Sequence, residues 1–140
     1  MTKPVILCVD DEKFVLKSLK TQLKEAFGDA YTYELAEAAD EALELIDELV
    51  EENVSIILIV SDWLMPGMKG DEFLVQVHRK FPHIIKIMLT GQADEEAIER
   101  AKLQANLHHC LYKPWSEAEL VETIKLGLSK LELTDLKIDQ

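Results

Sequence analysis

The stretch IILIVSDWLMPG, Ile56 to Gly67, decides the fold. Its first five residues form an unbroken aliphatic run, which is the pattern of a strand buried on both faces of a sheet. The run ends close to Asp62, and Pro66-Gly67 then predicts a turn. Open α/β sheets bind ligands at the carboxyl ends of their strands, so the sequence places Asp62 where a ligand would lie.

Working outward from this strand, the chain alternates between strand-like and helix-like segments. The predicted strands are 5–9, 31–35, 56–62, 84–89 and 107–112. Helical spacing follows each one: a helix closed by Gly28, helices at about 40–52 and about 70–80, a short helix capped by Asp94, and a last helix that opens with the capping box Ser116–Glu119. This alternation predicts a parallel sheet with right-handed crossovers and helices on both faces.

The composition of the strands also ranks them within the sheet. The segments beginning at Val5, Ile56 and Ile84 are the most uniformly apolar and are predicted to be central, whereas those beginning at Tyr31 and Leu107 carry polar residues and are predicted to be edges. With short connections, this ranking gives an α/β, doubly wound, five-stranded parallel sheet of order 2-1-3-4-5, which is the flavodoxin-like arrangement.

Composition excludes several classes of function. The net charge is −12, from 27 acidic and 15 basic residues, which argues against direct nucleic-acid binding because that requires a basic footprint. The chain has neither a signal-peptide core nor an apolar run long enough for a membrane span, so we expect a cytoplasmic protein with no membrane partner. Cys8 and Cys110 are predicted to be free thiols. The pair His108-His109 is predicted to be exposed on an edge strand rather than to bind metal, because adjacent strand residues point to opposite faces.

Five polar residues are predicted to meet at one crevice. In the order 2-1-3-4-5 the connections reverse between the first and third strands, and Asp10, Asp11 and Asp62 fall at that point. Thr90 and Lys113 end the next two strands on the same side. Three carboxylates repel one another unless a cation is present, and Mg²⁺ prefers such oxygen ligands. Aspartate is a known nucleophile in phosphoryl transfer, so the combination predicts reversible phosphorylation of Asp62.

Four motifs carry a family resemblance. They are Val9-Asp10-Asp11, the segment DWLMPGMKG at 62–70, Leu89-Thr90-Gly91 and Tyr112-Lys113-Pro114-Trp115. Together they resemble the receiver domains of two-component response regulators, and the resemblance spans about Pro4 to Leu131. The predicted domain is therefore 1–131, with 132–140 as a C-terminal tail or an extension of the last helix.

The resemblance implies a role for each residue of the metal site. Asp62 resembles the phosphoacceptor, Asp11 a direct Mg²⁺ ligand, and Asp10 a ligand that acts mostly through water. The backbone carbonyl of Leu64 would be the third protein ligand. Because the apolar Leu64 side chain cannot orient an attacking water by hydrogen bonding, we expect the phosphorylated protein to lose its phosphate slowly.

The resemblance also assigns the remaining polar residues. Thr90 is similar to the hydroxyl residue that moves to bind the phosphoryl group, and Lys113 to the lysine that pairs with it. The bond Lys113-Pro114 resembles a cis peptide of the family, which a proline makes accessible. One departure stands three positions before the lysine, where the family usually has an aromatic switch residue and this chain has Cys110.

The function implied is a phosphorylation-controlled switch of a two-component phosphorelay. The donor would be a histidine kinase or phosphotransfer protein, and the output a downstream protein target or a fused output domain. A second copy of the chain is a further possible partner, in a homodimer formed through the fourth helix, fifth strand and fifth helix. In this interpretation the chain is not an enzyme acting on other substrates, and it catalyses only its own phosphoryl transfer and dephosphorylation.

Two other readings stay open from the residues. One is a Mg²⁺-dependent phosphotransferase that forms an aspartyl-phosphate while acting on a separate substrate. It would need a general acid or base beside the nucleophile, and Leu64 stands two residues after Asp62 instead. The other is a pseudo-receiver, a binding module that is never phosphorylated.

Overall fold

The computed structural model describes residues 2–92 and 94–138, and the side chains of 132–138 lie outside the description. The strands are β1 Val5–Val9, β2 Thr32–Ala36, β3 Ile56–Asp62, β4 Ile85–Thr90 and β5 His109–Tyr112. The helices are α1 Lys13–Phe27, α2 Ala39–Glu51, α3 Gly70–Lys80, α4 Glu95–Gln104 and α5 Glu117–Ile138. The backbone of α5 thus continues beyond residue 131, the predicted end of the domain. That domain boundary stays a prediction. Among the described residues, no helix combines the length and apolarity needed to cross a membrane.

All strand pairs are parallel, and the sheet order is β2-β1-β3-β4-β5, which confirms the predicted topology. The register aligns the strand ends. Val9 lies opposite Ser61, and Asp62 lies opposite Leu89. The carboxyl ends of β1, β3 and β4 therefore share one edge of the sheet.

Each face of the sheet carries its own apolar core. Alternate residues of β1 divide between them: Leu7 and Val9 face the helices α2, α3 and α4, whereas Ile6 and Cys8 face α1 and α5. The central strands are buried almost throughout, while β2 and β5 include exposed positions. Burial on both faces explains why the central strands are continuous apolar runs in the sequence.

The ends of the helices follow the predicted signals. Gly28 closes α1 with a φ of 59°, a left-handed conformation that glycine adopts without steric cost. The Asp94 carboxylate accepts a hydrogen bond from the backbone N–H of Ala97 at 3.1 Å. The Ser116 hydroxyl oxygen accepts one from the N–H of Glu119, also at 3.1 Å. These contacts satisfy backbone donors that the first turn of a helix leaves unpaired.

Strand boundaries differ by one or two residues from the predicted ones. β5 begins at His109 and not at residue 107, because the backbone N–H of Leu107 donates to the Ala101 carbonyl, 3.1 Å away, and so completes the end of α4. β2 and β4 likewise begin and end one residue later than predicted.

The prediction that both histidines are exposed is wrong for His108. This residue is half-buried against α5, with Nε2 3.1 Å from the Thr123 carbonyl oxygen. Gly127 allows this close approach, since a Cβ there would lie 2.9 Å from Ile85 Cγ2 and 3.3 Å from the His108 ring. His109 is exposed, as predicted.

Candidate functional site

Asp62 is the last residue of β3 and is 5% exposed. The N-terminus of α3 packs directly on the backbone beside it. A Cβ on Gly70 would lie 2.1 Å from the Asp62 carbonyl oxygen and 2.8 Å from Trp63 Cα, so only glycine fits there. The close packing of α3 fixes the segment that follows β3.

Asp10 and Asp11 follow β1 at the same edge of the sheet. Asp10 is fully buried, and its Oδ1 accepts a hydrogen bond from the N–H of Glu12 at 2.9 Å. Glu12 occupies the N-cap position of α1, so Asp10 orders the turn before the helix and does not itself cap it. Asp11 is exposed.

Lys113 joins the acids of β1 and β3. Its ammonium nitrogen lies 2.9 Å from Asp10 Oδ2 and 3.1 Å from Asp62 Oδ1. The backbone N–H of Lys113 donates to the Thr90 carbonyl at 2.8 Å, which ties the end of β5 to that of β4. The peptide bond between Lys113 and Pro114 is cis, as predicted. The lysine and two of the predicted acids therefore form one ion-paired cluster.

The electrostatics of the cluster favour a bound cation. The pKa of Asp62 is raised to about 6: burial contributes most, the negative charge of Asp10 adds to it, and Lys113 acts in the opposite direction. Burial alone would lower the pKa of Lys113, but its hydrogen bonds and charge interactions with Asp10 and Asp62 outweigh that effect and raise it. One lysine thus compensates only part of the carboxylate repulsion.

The donor set fits a hard divalent cation. Asp10, Asp11 and Asp62 each offer a carboxylate oxygen, and these oxygens lie within 4.8 Å of one another. Oxygen ligands of this kind suit Mg²⁺, which binds through a few carboxylates and retains water in its remaining positions. The Leu64 carbonyl stays a predicted ligand, and the Leu64 side chain is 48% exposed beside the site.

Thr90 is at the predicted position, but its side chain is engaged elsewhere. The residue is buried at the end of β4, and its hydroxyl donates to the Gln92 carbonyl oxygen and accepts from the Gln92 N–H at 3.1 Å. Within the described part of the chain, no contact joins the Thr90 hydroxyl to Asp62. Cys110 is partly buried and packs against the core beneath α2, α3 and α4.

Three residues that the sequence analysis did not single out form a polar network beside the cluster. The indole N–H of Trp63 donates to Asp71 Oδ1 at 3.1 Å, and the Arg100 guanidinium forms an ion pair with Asp71 Oδ2. Asp71 and Arg100 are 29 positions apart and lie on different helices. Only the packing of α3 against α4 brings them together, so no local pattern indicates the pair.

Comparison with known proteins decides the family. Residues 6–125 match the response regulator receiver domain family. The chain belongs to this family.

Some proteins similar to this chain are much longer, and others are of about the same length. This chain is 34% identical to the hydrogenase transcriptional regulatory protein HoxA of Cupriavidus necator over 86% of its own length, but it spans only 23% of that regulator. It is 31% identical to the chemotaxis protein CheY-3 of Vibrio cholerae, covering 85% of this chain and 87% of the relative. The solved CheY-like receiver domain protein of Methanospirillum hungatei JF-1 is 33% identical, covers 95% of this chain and 99% of its own, and superposes with a TM-score of 0.82.

Proposed function

We propose that this receiver is a phosphorylation-controlled switch whose Asp62 accepts a phosphoryl group from a phosphohistidine. The observation that carries the proposal is the Lys113 ammonium held between Asp10 and Asp62 at 2.9 and 3.1 Å. This arrangement puts a fixed positive charge beside the acceptor carboxylate. Family membership supports the same role in two-component signalling.

The proposed chemistry follows from the residues at the site. A carboxylate oxygen of Asp62 forms a bond to phosphorus while the phosphorus–nitrogen bond of the donor breaks, and the electron pair returns to the donor imidazole, which takes up a proton. Lys113 already contacts Asp62 and would pair with the incoming phosphoryl oxygens. Thr90 would exchange its contacts with Gln92 for a hydrogen bond to the same group.

Asp10, Asp11 and Asp62, with the Leu64 carbonyl, would hold Mg²⁺. When bound, this ion would neutralise the charge on the phosphoryl oxygens. The fit rests on the three carboxylate oxygens within 4.8 Å of one another. The raised pKa of Asp62 agrees with it, because burial and then the negative charge of Asp10 disfavour an uncompensated carboxylate there.

The donor in this proposal is a histidine kinase or phosphotransfer protein in the cytoplasm. The output passes to a downstream protein or a fused output domain, and the similarity to CheY-3 and to part of HoxA supports both routes. Exposed apolar side chains on α4, β5 and α5, namely Leu103, Tyr112 and Leu126, support a protein-binding or homodimer surface there. Catalysis would be limited to the phosphoryl transfer and dephosphorylation of Asp62 itself.

The test is Mg²⁺-dependent labelling with acetyl phosphate, detected as a mass increase on intact protein. We expect wild type to be labelled, Asp62→Asn to stay unlabelled, and the exposed-site control Asp40→Asn to behave as wild type. Label on Asp62→Asn would contradict the assignment. If no donor labels wild type, the non-phosphorylated binding module becomes the better reading, and steady turnover of a small phosphate ester would favour the phosphotransferase.

A further inference from the structure

Trp63 lies at the centre of a clamp that holds the segment after Asp62. Its backbone N–H donates to the Leu89 carbonyl at 2.8 Å, and its own carbonyl accepts from the Gly70 N–H at 2.7 Å. The indole N–H donates to Asp71, and the Lys69 ammonium lies 5.2 Å from the centre of the indole ring. Trp63 also links two functional positions, because Asp62 precedes it and Leu64 follows it.

Asp71 needs its partners because it is a buried charge. Its side chain is only 4% exposed, and its two oxygens are used by the Trp63 indole and the Arg100 guanidinium. A buried carboxylate that loses its cationic partner is strongly destabilised. The pairing with Arg100 therefore decides how well Asp71 can hold the indole in place.

Arg100 makes this pairing depend on α4. The helix contributes only three buried apolar side chains, Ala97, Ile98 and Ala101, and two of them are alanines. Elements with few apolar contacts open at low free-energy cost. The Arg100–Asp71 ion pair adds a polar contact between α4 and α3 to these few apolar ones, and a displacement of α4 would withdraw the guanidinium from Asp71.

We propose that Arg100 is a positioning residue that couples the location of α4 to the geometry of the Asp62–Leu64 segment. The Arg100–Asp71–Trp63 chain of contacts, called the latch below, transmits this coupling. With the latch closed, the segment is held in the arrangement that the carboxylate cluster needs for Mg²⁺. In this respect the inference rests on the proposed function.

Coupling of this kind is reciprocal in binding free energy. Mg²⁺ at the cluster would stabilise the closed latch and hold α4 in place. A protein partner that draws α4 away from α3 would open the latch and weaken Mg²⁺ binding. The receiver would thereby sense occupancy of its α4 surface at its phosphorylation site.

The decisive comparison is Arg100→Gln against Arg79→Gln. Both arginines line the same cavity of about 490 Å³ between α3 and α4, but only Arg100 pairs with Asp71. We expect Arg100→Gln to weaken Mg²⁺ binding about fivefold by calorimetry, and amide hydrogen exchange at Gly70, which donates to Trp63, to become about fivefold faster. Arg79→Gln should match wild type, and Arg100→Lys should recover part of both losses.

The sign of the Mg²⁺ effect separates the latch from simple electrostatics. Removal of a positive charge near the cluster would by itself strengthen binding of a cation and not weaken it. Equal changes in the two glutamine variants, or tighter Mg²⁺ binding by Arg100→Gln, would overturn the proposal. So would unchanged hydrogen exchange at Gly70 in Arg100→Gln.

A second variant guards against misfolding. Asp71→Asn retains an oxygen for the indole but removes the ion pair, and it should speed exchange at Gly70 as Arg100→Gln does. Weaker Mg²⁺ binding by this variant would not distinguish the latch from electrostatics, because loss of a negative charge would by itself weaken binding of a cation. Hydrogen exchange without metal makes the test independent of phosphorylation. If wild type is never labelled at Asp62 while the exchange differences persist, the proposed function fails and the latch stands.

Discussion

At the scale of single residues, the site is defined by the balance between burial, like charge and one ammonium group. Asp62 and Asp10 are both buried and both contact Lys113, yet the pKa of Asp62 stays raised at about 6. Burial and the negative charge of Asp10 therefore outweigh the effect of Lys113, so a metal ion or a proton at Asp62 would be favourable.

Leu64 sets an expectation for the lifetime of the proposed phosphate. Its side chain is half-exposed beside Asp62 and has no atom that could orient an attacking water. We expect Leu64→Asn to lose phosphate several-fold faster than wild type, because an amide can position that water. The measurement is the decay of labelled protein after the donor is removed. Equal decay rates would contradict the role given to this position.

Gly70 sets an expectation for stability. A methyl group there would lie 2.1 Å from a backbone oxygen, which cannot move away as a flexible side chain could. Gly70→Ala should lower the free energy of unfolding in urea by about 2 kcal/mol or more. Gly91→Ala is the matched control, since a Cβ at Gly91 meets no atom within 4 Å, and it should change stability by less than about 0.5 kcal/mol. Similar losses for both variants would show that steric contact at α3 is not the cause.

At the scale of elements, α4 buries fewer apolar side chains than α1, α2 or α3. Its apolar contacts come mainly from two alanines and one isoleucine, whereas α3 buries two valines, a leucine and a phenylalanine. The Asp94 cap and the Arg100–Asp71 ion pair supplement these few apolar contacts. Such a helix is suited to movement in a switch.

The cap of α4 gives an element-scale test. Asp94→Ala removes the acceptor for the Ala97 N–H, and loss of such a cap costs about 1 kcal/mol. We expect faster amide hydrogen exchange within α4 and little change in the β3 and β4 strands. Ser116→Ala removes the corresponding acceptor from α5 and should affect α5 instead. Uniform changes across the sheet in Asp94→Ala would contradict an independently mobile α4.

At the scale of the whole molecule, we expect stability to depend on pH through a lysine at the opposite end of the sheet. Lys86 is 1% exposed, and its ammonium lies 2.7 Å from the Ile84 carbonyl oxygen and 3.0 Å from His78 Nδ1. Burial lowers its pKa to about 8 from the ordinary 10.5. Between these values the unfolded chain binds a proton that the folded chain has released, so this group makes folding more favourable as pH rises.

We expect the difference in unfolding free energy between wild type and Lys86→Met to change by about 2 kcal/mol between about pH 7 and pH 10, in favour of wild type at the higher pH. Urea unfolding at several pH values measures it. The exposed-lysine control Lys17→Met should follow wild type throughout. A pH-independent difference for Lys86→Met would show that Lys86 stays charged in the folded protein.

Much of the fold and part of the site follow from the sequence by simple physical rules. The aliphatic runs at Val5 and Ile56 indicate doubly buried strands, and parallel strands put their carboxyl ends at one edge. Asp10, Asp62 and Lys113 therefore meet where expected, although they are far apart along the chain. The helix ends at Gly28 and Asp94 could also be predicted from the sequence, because these signals depend only on neighbouring residues.

Only the tertiary structure decided which side chains pair across elements. Thr90 is at its predicted place but bonds to Gln92, because a strand-end position fixes the backbone and not the direction of a hydroxyl. His108 is covered by α5 because Gly127 lets the helix approach. The pairing of Asp71 with Arg100 depends on how α3 and α4 pack, which is a property of two surfaces in contact and is encoded in no single stretch of sequence.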